Sequence, residues 1–142
     1  SGDDFQLWSA ETPTLYTVVL KAGEHFISQK VGFHRVELSG PNMLVNGEPI
    51  IIYGVNRHEH NSDSGRTVAY EAMRADMIRM KQSNINTIRT AHQPHHPDFY
   101  DLADELGFYL IAEADLECHG FNDINDTIYG ASQWTSNNTG TF

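Results

Sequence analysis

Positive charge is scarce in this chain. Nine lysine and arginine residues face nineteen aspartates and glutamates, for a formal net charge of −10. A phosphate backbone would repel such a surface, and no basic cluster offsets it, so nucleic acid is not an expected partner. Cysteine is nearly absent. The single Cys118 permits no internal disulfide and no thiolate metal cluster, which favours a reducing, cytoplasmic setting. No apolar run is long enough to cross a bilayer and the start is not signal-like, so no membrane is expected. The opening residues "SGDDFQLW" also lack a methionine. What remains is a chain of 142 residues, 39% of them hydrophobic, able to bury one modest core as one compact domain or two partial ones.

Three zones follow one another. Up to about Gly40 the pattern is β: "LYTVVL" (15–20) and "FISQKVGFHRVEL" (26–38) are rich in β-branched and aromatic residues and flank the turn-like "KAGEH". Asn46-Gly47 then lies between two apolar runs in "MLVNGEPIIIYG", the strongest hairpin signal in the chain. From about Ile50 the rhythm changes. "IIIYGV" reads as a strand covered on both faces. "YEAMRADMIRMKQS" puts Met73, Met77 and Met80 on one helical face, as core, with Arg74, Asp76 and Arg79 turned largely away. "NINTIRT" is a second strand. "HPDFYDLADELG" starts a helix on a proline and stops it at Gly107, and "FYLIAEA" is a third strand. Strand, helix, strand, helix, strand implies parallel pairing. Residues 122–142 show no period and read as loop or disorder; the Asn125 and Asn137 sequons there carry little weight.

The chain has eight histidines, and six of them follow directly after one of the three strands: His58 and His60, then His92, His95 and His96, then His119. In parallel α/β folds the C-terminal strand ends form one rim, where ligands bind. The same segments bring Arg57, Arg89, Glu113, Asp115 and Glu117 to that rim. In "AEADLECHGF", Glu117 and His119 are two apart, so an extended backbone aims both one way, either as two ligands of a divalent cation or as a solvated acidic loop. His58 and His60 share that spacing and suit either a metallohydrolase or two loop histidines bonded to backbone. His95 and His96 read as helix-entry residues, and Cys118 as a small core residue.

At these residues the sequence resembles the β-galactosidases of glycoside hydrolase family 2. The likeness lies in "LVNGEPIIIYGVNR", "GVNRHEHNSDSGR" and "MKQSNINTIRTAHQPHHPDFYDLADELGFYLIAEADLECHGF", from about Leu44 to Phe121. "LWSAETPTLYTVVL" and "VGFHRVEL" resemble the end of the immunoglobulin-like sandwich that precedes the catalytic barrel in that family. The resemblance implies an α/β fold: the first βαβαβ portion of a (β/α)₈ TIM barrel (41–121), preceded by β-sandwich strands (1–40) and followed by an irregular tail (122–142). It implies retaining hydrolysis of terminal β-D-galactosides such as lactose. His58, His92 and Arg89 would contact the sugar or stand beside the nucleophile, and Glu117 and His119 would be two ligands of an active-site Mg²⁺, with Na⁺ a further ion of the parent. A homo-oligomeric parent is also implied.

The departures carry expectations too. In the family the acid/base glutamate follows the fourth barrel strand and the nucleophile the seventh, so neither catalytic residue is expected here and the isolated chain should be inactive. Glu113 and Asp115 would be structural supports. The family pattern fades after Gly120. His34, Tyr53 and Ala112 replace residues usual in the family and should alter packing, whereas Gln93 replaces an aromatic nearer the site. Two rivals remain at this point: a zinc hydrolase using His58 and His60, and a non-catalytic carbohydrate-binding module.

Overall fold

A computed structural model describes residues 5–115. Its first strands, β1 (Tyr16–Ala22) and β2 (His25–Val31), form an antiparallel hairpin closed at Gly23, whose φ of +62° suits the tight turn. A second antiparallel sheet joins β3 (Val36–Ser39), β4 (Asn42–Val45) and β5 (Glu48–Pro49). Asn46 and Gly47 link β4 to β5 with φ of 56° and 87°, both positive as the Asn-Gly signal requires. Asn46 does more than turn the chain. Its Oδ1 accepts from the Arg35 N–H and its Nδ2 donates to the Trp8 carbonyl.

The remainder is the expected alternation. β6 (Gly54–Arg57), α1 (Tyr70–Gln82), β7 (Thr87–Thr90), α2 (Pro97–Leu106) and β8 (Tyr109–Ile111) follow in order, and the three strands pair in parallel as β6-β7-β8. Met73 and Met77 of α1, Ile88 of β7, Phe99, Leu102 and Ala103 of α2, and Phe108 form the buried core, with Met80 packed at its edge. Helix α2 starts with His96 as N-cap, its Nδ1 accepting from the Asp98 N–H, and Pro97 directly after it. It ends at Gly107 in the left-handed region, φ 78°.

Two strand assignments need correction. The run Ile50–Tyr53 is neither strand nor buried; the ladder begins only at Gly54, and Ile51 is 76% exposed. The side chain of Asn86 occupies the place of a pairing partner: its Oδ1 accepts from Tyr53 N–H and its Nδ2 donates to the Ile51 carbonyl. The stretch 26–38 is not one strand but two, interrupted at residues 32–35. Trp8 wedges in there. Its N–H donates to the Phe33 carbonyl, and a Cβ on Gly32 would lie 2.9 Å from the indole.

Trp8 also ties the N-terminal segment to the helices. Its indole N–H donates to the Asp104 carbonyl in α2, and the ring meets Tyr109 edge-on. Beside it, Lys81 Nζ donates to the carbonyls of Ala10 (2.7 Å) and Gly107 (2.6 Å). At this corner a Cβ on Gly107 would meet the Ala10 carbonyl oxygen at 2.3 Å. Gly107→Ala therefore combines left-handed backbone strain, about 1–2 kcal/mol by itself, with a backbone clash. Denaturant unfolding should show a loss larger than that strain alone; an unchanged midpoint would contradict the tight corner.

Candidate active site

The parallel register builds the site. Asn56 pairs with Arg89, and Arg89 with Ile111, so Asn56 and Arg89 project from the same side of neighbouring strands near their C-terminal ends. Just past β8 the Glu113 N–H is fixed by a bond to the hydroxyl of buried Thr90, 2.9 Å. That bond turns the Glu113 carboxylate towards Arg89. Arg89 Nε and Nη2 donate to Glu113 Oε1 at 2.9 and 2.5 Å, and Nη1 reaches Asn56 Oδ1 at 3.4 Å. His92 Nδ1 lies 3.2 Å from Arg89 Nη2 and 3.3 Å from Glu113 Oε2. The His92 ring in turn meets His58 edge to face, with centroids 5.2 Å apart.

Hydrogen bonds from the Arg89 guanidinium stabilise ionised Glu113 and hold its carboxyl below the ordinary 4.5; its charge and the contact with His92 act in the same direction. The result is a fixed cation, a fixed anion and two exposed imidazoles on adjacent loops. Such a surface presents donors and acceptors together to a polyhydroxylated ligand. An apolar groove of about 590 Å³ also exists, but it runs past Trp8, Val36, Ile52 and Phe108 and the β7–β8 stretch that starts at Thr87 and Tyr109. Its wall is mainly apolar, with Lys30, His34 and Asp104 also lining it, and it lies apart from the Arg89–Glu113 cluster.

The expected rim residues do not all arrive there. Arg57 alternates with Asn56 and so faces the helix layer, 94% buried. Its guanidinium lies over Phe99 at 4.9 Å, with Nη1 3.4 Å from His95 Nδ1 and Nη2 3.9 Å from Asp76 Oδ2. His95 is a buried neighbour of that stack rather than only a helix-entry residue, and burial lowers its pKa, disfavouring the charged form. His96 does serve at the helix entry. Glu113 and Asp115 lie beyond β8 and not on it, because the strand ends at Ile111. His60 is exposed, and among the described residues no group of three His, Cys, Asp or Glu side chains could hold a metal ion. Glu117, Cys118 and His119, like the tail from Asn122, lie outside the described residues.

Sequence reasoning missed Asn56, Glu59 and Thr90. The strand alternation around "VNR" contained a usable signal for Asn56. Nothing local marked Thr90, whose role depends on β8 ending at Ile111, the residue that pairs with Arg89. Gln93 does lie at the rim, its Oε1 accepting from Arg66 Nη2 at 2.7 Å.

A parallel βαβαβ unit with charged and imidazole groups gathered after its strands is the arrangement of a parallel α/β protein with its functional groups at the strand ends. The chain belongs to the glycosyl hydrolases family 2, TIM barrel domain, which matches residues 36–141. That match continues past Gly120, where the motifs alone had stopped being recognisable, and corrects the expectation that the pattern fades there. The chain is 48% identical over 122 residues to a β-galactosidase of Arthrobacter sp. (strain B7), covering 86% of this chain. It is 48% identical over 118 residues to that of Actinobacillus pleuropneumoniae, covering 83%. It spans 12% of the length of each of these relatives. Among solved structures it is similar to a β-glucuronidase from Ruminococcus gnavus in complex with C6-substituted uronic isofagomine. There the TM-score is 0.72 at 29% identity, covering 78% of this chain and 20% of that one. A β-glycosidase from Bacteroides vulgatus gives 0.70 at 30% identity, covering 76% and 15%.

The Arg89–Glu113 pair has a pH signature. A carboxyl whose folded pKa is depressed stabilises the fold above the ordinary carboxylate range, and that contribution is lost as pH falls through the depressed value. Arg89→Ala should raise the Glu113 titration towards 4.5 in carboxyl ¹³C NMR. A titration unmoved by that substitution would mean the pair is not formed in solution.

Proposed function

We propose that this chain is part of a retaining β-galactosidase that hydrolyses terminal non-reducing β-D-galactose residues, with lactose among its substrates. In this reading residues 1–40 close an immunoglobulin-like sandwich, residues 41–121 open the catalytic barrel, and the tail runs on from there. The observation that carries the proposal is the Arg89–Glu113–His92–His58 cluster after the parallel strands, in a chain 48% identical to two β-galactosidases. A glucuronidase is the second reading, because the similar solved structures include a glucuronidase. The identity to the galactosidases is higher, 48% against 29%.

The chemistry asks for such groups. Retaining glycosidases use two carboxyl groups about 5–5.5 Å apart, one protonating the leaving oxygen and one attacking the sugar. We assign neither to this chain. Its part is to bind and orient. His58 and His92 present imidazole donors to sugar hydroxyls, where bonds that tighten as positive charge develops on the ring favour the transition state. Arg89, held by Glu113 and Asn56, offers a fixed positive charge beside which a nucleophilic carboxylate stays ionised. Glu113 is already engaged by Arg89, so it acts as an anchor for that cation rather than as the attacking group.

Glu117 and His119 would hold a Mg²⁺ ion. A carboxylate oxygen beside one imidazole is a donor set compatible with that ion, and water and other segments would complete six-fold coordination. When bound, the ion would supply fixed positive charge that tunes a nearby acid. The zinc alternative at His58 and His60 is not favoured: His58 contacts the His92 ring, and no third donor joins the pair among the described residues.

The longer protein containing this chain should hydrolyse nitrophenyl β-galactoside and turn over the β-glucuronide far more slowly, with the 142-residue chain alone at background. Preference for the glucuronide would replace the galactosidase reading with the second one. His58→Ala and His92→Ala should each lower kcat/KM by roughly 10²–10³-fold.

Chelation with EDTA should depress the rate and added Mg²⁺ should restore it, while Glu117→Gln should raise the Mg²⁺ concentration needed. Indifference of both rate and metal content to EDTA would remove the ion from the reading.

A further inference from the structure

We infer that Glu59 is a positioning residue: it ties the loop bearing His58 to the start of α2 and thereby holds the His58 imidazole against His92. For its kinetic consequence this rests on the glycosidase reading, but the geometry stands by itself. Both Glu59 carboxylate oxygens accept from the His96 backbone N–H, at 3.0 and 3.2 Å. His96 is the N-cap of α2. In many helices the N-cap N–H is bonded by a Glu or Gln three residues further on, closing a capping box. That position here is Phe99, fully buried in the core and without an acceptor. The missing acceptor comes from across the rim. A carboxylate at a helix N-terminus is also favoured by the helix dipole.

The consequence falls on the neighbouring residue. His58 is joined directly to Glu59 in sequence, and its ring contacts His92 on the very loop that leads to His96. Without the Glu59 tie, the two loops are joined at their outer ends by the exposed Arg66–Gln93 hydrogen bond. On the inner side, Arg57 and His95 join the strand end to the helix entry, and beyond Arg57 the chain runs through His58 to Glu59 as a two-residue arm. Glu59 is the contact that fixes this arm. In the bare motif "NRHEH" the glutamate lies between two histidines and invites a catalytic or metal role. The structure assigns it instead to geometry.

The test is a double-mutant cycle in the longer protein, with Glu59→Ala, Glu59→Gln, His58→Ala and Glu59→Ala/His58→Ala. Misplacing a reacting group by about 1 Å can cost about 10²-fold, so Glu59→Ala should lower kcat/KM by roughly 10- to 100-fold. Glu59→Gln keeps an acceptor oxygen and should recover most of that loss. In the His58→Ala background Glu59→Ala should cost little more, because its effect passes through His58. Equal losses in both backgrounds, or no loss in either, would overturn the inference. Hydrogen exchange of the His96 amide is read in parallel and should quicken in Glu59→Ala; an unchanged rate also overturns it. If the parent hydrolyses no glycoside, the function reading falls by itself, and His96 exchange together with the His58–His92 ring distance in a crystal structure of Glu59→Ala decides the tie. If Glu59→Ala does not fold, Glu59→Gln decides the same points, with near-normal kcat/KM expected and a loss as deep as that of His58→Ala contradicting the role.

Discussion

The Arg89 guanidinium is the contact on which the rim depends. It is one rigid planar group with donors in a fixed fork, and it reaches partners belonging to all three parallel strands: Asn56 on β6, His92 following its own strand, and Glu113 following β8. A lysine also has three donors, but they radiate from a single nitrogen and do not form the planar fork that spans these positions. The guanidinium satisfies them together only if the strands keep their register, since a slip by one residue would move Arg89 to the helix-facing side. The site thus reports on the sheet, and the sheet positions the site.

A second layer lies behind it. Arg57 and His95 stack on Phe99 and fill the space between the strand ends and the helices. Their buried polar atoms are only partly satisfied: Arg57 Nη2 and His95 Nε2 have no hydrogen-bond partner among the described residues. Desolvation lowers the pKa of each. A buried polar pair so close to the rim distinguishes this floor from a purely apolar one.

Much of this was legible in the sequence. Helix α1 followed from its methionine spacing, the Asn46-Gly47 turn from its dipeptide, and α2 from Pro97 and Gly107; all three are local signals that tertiary contacts did not override. Two of the failures share a cause. Ile50–Tyr53 reads as a strand, but the Asn86 amide takes over the backbone bonds that would have made it one. The break at residues 32–35 depends on Trp8, more than twenty residues away in sequence. Arg57 was placed on the rim because neighbouring residues were assigned to it, although alternation along β6 permits only one of Asn56 and Arg57 to face it. The first two misses are long-range partners that no local period contains; the third overlooked the alternation itself.

The Lys81 tie at the Ala10–Gly107 corner has a further consequence. Its partners are carbonyl oxygens rather than carboxylates, so neither acid nor moderate salt removes the acceptors, as they would for an exposed ion pair. The tie weakens only when the ammonium itself loses its proton, at alkaline pH, and burial brings that point lower. The Arg89–Glu113 contact fails at the opposite extreme, when its carboxylate is protonated. Acid would therefore weaken the contact at the strand ends while leaving the Lys81 tie in place, and alkali would weaken the Lys81 tie while the Trp8 indole still bonded the N-terminal segment to α2.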